Sequence, residues 1–191
     1  TLALLLCLGT SAAMAEPVNI TILGTSDLHG TFVPWDYSTD TENLAGSLSQ
    51  IATQVRKVRS EQPNVILVDA GDTIQGNFVE TFKNDKTSPM ILGFNALDYD
   101  VWVMGNHEFD WGPDNFNAWS RDGKFPFLAA NIVDKRTGQV PSWTKPYQVV
   151  LLGGHKIAFV GFSTIETLSK TKADYVADYD FLEPAKVDRK S

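Results

Sequence analysis

Three short runs of this 191-residue chain concentrate the side chains that can hold a cation or move a proton. They are Asp27-Leu28-His29-Gly30, Gly71-Asp72 and Gly105-Asn106-His107-Glu108. Together they offer carboxylates, two imidazoles and an amide, the hard and borderline donors suited to Zn, Mn or Fe. A carboxylate such as Asp72 has two oxygens, so it can bridge two cations about 3.5 to 4 Å apart. A pair of cations held in this way lowers the pKa of a bridging water, whose hydroxide can attack an electrophile. Singly each run carries little, since D-x-H recurs by chance and Gly-Asp is a common turn. Their weight comes from position: each directly follows a strand-like run.

Those runs belong to an alternating pattern. Residues 18–23 (VNITIL) form a β-prone stretch ended by Gly24. After a polar, aromatic loop, Leu44, Leu48, Ile51, Val55 and Val58 recur at steps of four and three, the apolar stripe of a helix. Arg56, Lys57 and Arg59 near its end suit the helix dipole. Residues 64–68 (NVILV) are a continuous apolar run, as in a parallel strand covered on both faces. Ser88-Pro89 caps a helix over 90–97, and residues 101–104 (VWVM) make a third strand. A helix over 113–120 and a strand over 127–133 follow, and Gly153-Gly154-His155 turns between paired strands at 147–152 and 156–162. Residues 164–191 are charged and aperiodic. The order β-α-β-α-β-α-β predicts a layered α/β sandwich, incomplete in this chain. In such sheets ligands gather at the carboxyl ends of the strands, where all three runs lie.

Composition limits what such a site can serve. Against 16 Lys+Arg stand 23 Asp+Glu, a formal charge of −7, which argues against a broad basic surface for a nucleic-acid polymer. No apolar stretch reaches the roughly 18 to 20 residues of a membrane span. Residues 1–15, with the apolar run LALLLCL and the ending Ala13-Met14-Ala15, have the form of a signal peptide cut short at its start. An exported protein, periplasmic or extracellular, is therefore expected. The one cysteine, Cys7, falls in that leader, which eliminates disulfides, thiolate metal sites and a cysteine nucleophile from the mature chain. Its three histidines are His29, His107 and His155.

The stretches ILGTSDLHG (22–30), LVDAGDTIQG (67–76) and VMGNHEFDWG (103–112) resemble the metallophosphoesterase, or calcineurin-like, superfamily. Within it the likeness is to the secreted 5′-nucleotidase and 2′,3′-cyclic-nucleotide phosphodiesterase family. KIAFVGFS (156–163) also resembles a strand of that family, and Asp36-Tyr37 resembles its cyclic-nucleotide branch. The resemblance implies two divalent ions, Zn, Mn or similar, and a small-molecule nucleotide substrate. It implies that Asp27 and His29 bind the first metal, Asp72 bridges and Asn106 binds the second. His107 would stand by the phosphoryl group, with Asp110 orienting its ring. Asp69 is read as orienting the second loop, Glu108 as lying behind the ligands or in solvent, and His155 as a solvated turn residue. Trp35, Tyr37, Phe78, Phe109 and Trp111 could stack a base, although packing is the commoner use of such rings.

The family's further His ligands, in a Gly-His pair and a Gly-His-x-His run, have no match in the chain, and neither does its C-terminal nucleotide-binding domain. Residues 16–191 are accordingly expected to be the N-terminal part of a metallophosphatase domain, weak in metal binding and activity when isolated. Two other readings stand beside the hydrolase: a non-catalytic interaction module that keeps the scaffold, and a metal-independent extracytoplasmic ligand-binding protein. Oligomeric state, base preference and the ester cleaved are left open.

Overall fold

A computed structural model describes residues 17–44, 46–85 and 87–187, so the expected leader lies outside the described residues. The framework is a four-stranded parallel sheet in the order β1-β4-β5-β6. β1 spans Thr21–Thr25, β4 Val65–Asp69, β5 Val101–Val103 and β6 Phe127–Leu128. Two short paired strands, β2 (Trp35–Asp36) and β3 (Thr41–Glu42), sit in the first loop. Helices α1 (Leu48–Glu61), α2 (Pro89–Ala96) and α3 (Pro113–Asp122) make the crossovers that parallel pairing requires. This is the expected mixed α/β class.

Local chemistry explains the boundaries. The helix expected from Leu44 begins instead at Leu48. Ser47 accepts a hydrogen bond from the Gln50 backbone N–H as the N-cap, and its hydroxyl donates to Gln50 Oε1, which closes the end. Leu44 is left outside, 69% exposed. Gly24 does not end β1, because the ladder with β4 continues through Gly24 and Thr25. Ser88 caps α2 with Pro89 in its first turn, as expected. Arg59 donates to the carbonyls of Leu97 and Asp98, so this part of the basic cluster ties α1 to the end of α2.

The strand expected over 127–133 is two strands, β6 and β7 (Ile132–Asp134). Between them the buried Asn131 donates to the carbonyls of Ser163 and Leu182 and accepts from the Ser163 N–H. A side chain that answers three backbone groups lets the chain leave the sheet there without orphaned polar atoms. The expected hairpin is present as β8 (Tyr147–Leu152) and β9 (His155–Val160), with His155 paired to Leu152 in the strand rather than in the turn, which is Gly153-Gly154 alone. Beyond it the stretch without periodicity does form structure: α4 (Thr167–Lys170), α5 (Ala173–Val176), β10 (Tyr179–Phe181) and α6 (Pro184–Val187). β10 is held by antiparallel pairing with β7, a non-local contact that no local period announces.

The core is rich in rings. Phe94 stacks on Tyr99 with centroids 3.8 Å apart, and Trp102 packs edge-on against Phe127 at 4.6 Å. Phe109 meets Phe116, Trp143 and Phe181. Burying such rings is worth on the order of 2 to 3 kcal/mol each, which fixes the helices against the sheet and anchors the loops above it. Among the described residues no helix is long and apolar enough to cross a membrane.

Candidate metal centre

The three loops that follow β1, β4 and β5 converge on one end of the sheet. The first two are laced together by their backbones. Asp27 N–H donates to the Gly71 carbonyl at 2.9 Å, His29 N–H to Asp72 at 3.0 Å and Gly30 N–H to Thr73 at 2.8 Å. This extends the β1–β4 pairing past the strands but at a cost in backbone strain. Asp27, His29 and Asp72 all have positive φ, at 53°, 44° and 56°. Such conformations cost about 1 to 3 kcal/mol apiece and gather where a site imposes them.

The second and third loops pack closer still. A Cβ on Gly71 would run into Gly105, and one on Gly105 would meet Asp72 and Glu108. Residues His107–Phe109 form a single 3₁₀ turn after Asn106. With three residues per turn, successive side chains diverge by about 120°. His107 therefore faces the site, Glu108 turns in toward the second loop, and Phe109 enters the core.

His29, Asp72 and His107 offer ligand atoms that all lie within 4.8 Å of one another. The two rings meet edge to face, with centroids 5.1 Å apart. His29 Nδ1 lies 3.0 Å from the Gln75 carbonyl. A carbonyl only accepts, so Nδ1 carries the proton and Nε2 keeps its lone pair for a cation. His107 Nδ1 is 2.7 Å from Asp110 Oδ2, leaving Nε2 as its free nitrogen. Asp72 Oδ1 accepts the His107 backbone N–H at 3.0 Å. Asp27 Oδ1 stands 4.0 Å from His29 Nε2, near the group though outside its common radius. Asn106 is buried at the head of the turn, which its side chain does not cap. The donors fit a divalent cation: imidazoles of fixed tautomer and carboxylates on a pre-strained frame.

A family profile described as calcineurin-like phosphoesterase matches residues 20–189. The chain is a member of that family. It is 36% identical over 155 residues to a 2′,3′-cyclic-nucleotide 2′-phosphodiesterase/3′-nucleotidase of Yersinia enterocolitica, covering 78% of this chain and 24% of the relative. It is also 36% identical over 162 residues to a 5′-nucleotidase of Rattus norvegicus, covering 80% and 27%. The crystal structure of calcineurin-like phosphoesterase YfkN from Bacillus subtilis superposes with a TM-score of 0.78 at 28% identity, over 90% of this chain and 56% of that one. This calcineurin-like phosphoesterase chain thus spans about a quarter of the length of those curated relatives.

Outside the ligand group the residues sort clearly. Asp69 is buried; Oδ1 accepts from the Gly71 N–H and the Thr73 hydroxyl, and Oδ2 from the Thr25 hydroxyl. It orients the second loop of the phosphoesterase site, and burial pushes its carboxyl up to about 6 despite those bonds. His155 is exposed on the hairpin, apart from the ligand group. Of the five rings considered for base stacking, Phe109 and Trp111 are buried in packing. Trp35 and Tyr37 are exposed, and Tyr37 lies against Phe78 with centroids 4.9 Å apart.

Two contributors were missed or underread in the sequence. Lys83 reaches the Asp110 carbonyl at 3.4 Å, bringing a cation beside the His107–Asp110 pair; nothing in its local sequence marks it. Glu108 is fully buried behind the ligands, not solvated, with its carboxylate facing backbone N–H groups of the second loop and of its own. Burial pushes it up to about 7, against the pull of the Thr73 and Asp72 N–H groups.

Proposed function

We propose that this chain is the part of an exported, dinuclear-metal phosphoesterase that carries its first loops, acting on small nucleotides. The meeting of His29, Asp72 and His107 within one 4.8 Å group is the observation that carries this reading. The printed activities of the relatives, a cyclic-nucleotide phosphodiesterase/3′-nucleotidase and a 5′-nucleotidase, give the substrate class. The relatives are about four times longer than the matched stretch, which leaves room for the remaining ligands and a nucleotide-binding domain. The formal charge of −7 supports a small substrate met at a local site over a polymer held on a basic surface.

In this reading His29 and Asp27 hold one ion, Asn106 the second, and Asp72 both. When bound, the ions supply Lewis acidity to the phosphoryl oxygens and to the attacking water. The protein's own part is positional. Gln75 fixes the His29 tautomer, and the His107 N–H pins Asp72. His107 keeps Nδ1 on Asp110 and directs Nε2 to the phosphoryl group, where it stabilises developing charge and can protonate the departing oxygen.

The test is an activity panel of 5′-, 3′- and 2′,3′-cyclic nucleotides and UDP-sugars on the intact protein, with and without chelator. Chelator-sensitive hydrolysis that Asp72→Asn abolishes is expected. Turnover that survives both would exclude a metal-dependent hydrolase. Absence of turnover despite bound metal would favour the interaction module.

A further inference from the structure

Glu108 occupies an unusual place: its carboxylate gathers backbone N–H groups from both the second loop and the third around Asp72. Oε2 accepts from the Asp72 N–H at 2.8 Å and the Gly105 N–H at 2.8 Å. Oε1 accepts from the Thr73 N–H at 2.7 Å and the Ile74 N–H at 3.3 Å. Four donors from two loops thus close on one side chain with no exposed surface. The arrangement is reciprocal. Asp72 gives its N–H to Glu108 while its own Oδ1 takes the His107 N–H at 3.0 Å. Asp72, held at a φ of 56°, is pinned at both its backbone and its carboxylate.

We propose that Glu108 is a positioning residue that sets the second and third loops in metal-ready geometry before any metal arrives. This rests on the reading of the loops as a metal centre and deepens it. The physical ground is that four convergent N–H groups need an acceptor with two equivalent oxygens. Each such hydrogen bond is worth about 0.5 to 1.5 kcal/mol, rising to about 1.5 to 3 kcal/mol where the acceptor is ionised, and four together are enough to offset the strain at Asp72. An amide is the same size but cannot replace the carboxylate. Whichever way a Gln side chain is turned, its NH₂ faces two backbone N–H donors, either those of Thr73 and Ile74 or those of Asp72 and Gly105. Glu108 touches neither metal nor substrate in this scheme. It acts through Asp72 and His107.

The experiment compares wild type with Glu108→Gln in the intact protein. Zn²⁺ binding is measured by calorimetry, nucleotide hydrolysis by kcat and KM, and folding by circular dichroism in chelator. Loss of an outer partner of this kind typically weakens metal binding 10- to 100-fold. The expected result is a fall of that order in Zn²⁺ affinity and in kcat, with KM within about twofold, in a protein that is still folded. Equal Zn²⁺ affinity and equal kcat in the two proteins would overturn the inference while leaving the metal centre intact. Failure of the wild type itself to bind Zn²⁺ would overturn the parent reading instead.

If Glu108→Gln does not fold, amide exchange on metal-free wild type decides. The Asp72, Thr73 and Gly105 amides should be protected like those of β4. Exchange as fast as in the exposed hairpin turn at Gly153-Gly154 would show that the loops are not locked without metal, and the inference fails.

Discussion

Gly105→Ala tests the convergence of the loops without altering any ligand. Gly105 does not have a positive φ, so alanine can take up its backbone conformation and the effect is one of contact. The added Cβ would strike Asp72 Oδ1 and lie 2.6 Å from the Asp72 N and 2.8 Å from Glu108 Oε2. Neither neighbour can yield cheaply, since one atom is backbone and both carboxylates are already hydrogen-bonded. Overpacking of this kind costs about 1 to 3 kcal/mol. Loss of the Gly105 N–H bond to Glu108 adds about 1.5 to 3 kcal/mol. For a domain of this size each kcal/mol moves Tm by roughly 2 to 4 °C, so a fall of about 5 to 24 °C is expected. Gly24→Ala is the control, because its Cβ would meet nothing within 4 Å. Thermal unfolding in chelator, followed by circular dichroism, reads both. If Gly105→Ala melts with wild type and Gly24→Ala, the two loops do not approach as described and the site loses its frame.

Three further outcomes follow from the same geometry. Asp110→Asn removes the charge from the 2.7 Å bond to His107 Nδ1; at about 1.5 to 3 kcal/mol, kcat should fall about 10- to 150-fold with bound metal unchanged, and a parallel loss of metal would refute the orienting role. His107→Ala should keep stoichiometric metal but lose about 10²- to 10⁴-fold in turnover, whereas His29→Ala should lose metal; the reverse pattern would exchange their roles. Asp69 is protonated more readily in the folded protein, up to about 6 against 3.8. Its contribution to stability is therefore fully present below about pH 4 and lost as pH rises through 6. In metal-free protein, urea midpoints at pH 5 and pH 7.5 should differ by more in wild type than in Asp69→Asn, with wild type favouring pH 5; identical slopes would refute this.

Much of the site was legible because its residues are short-range signals at strand ends. A strand followed at once by D-x-H, G-D or G-N-H places each group on the same edge of a parallel sheet, and the glycines announce close backbone approach. Asp69 was placed correctly for a similar reason, as a carboxylate between a strand and a Gly-containing turn. For Glu108 the sequence left two places open, behind the ligands or in solvent, because its partners Asp72 to Ile74 lie over thirty positions away and only the 3₁₀ turn reveals that it points inward. Lys83 and Asn131 likewise act through non-local carbonyls. In the fold, local periodicity found the helices but overshot the start of α1, where the Ser47–Gln50 cap outweighs one more apolar residue. Residues 164–187 carried no period at all, since their order comes from the pairing of β10 with β7.

The central claim is that three loops separated by about eighty positions share a cation site. A crystal soaked in Zn²⁺ and measured for anomalous scattering at the zinc edge tests it directly. The account predicts a peak about 2.0 to 2.2 Å from both His29 Nε2 and an Asp72 carboxylate oxygen. An ordered His29–Asp72–His107 group with no peak beside it, or zinc bound only elsewhere, would contradict the account.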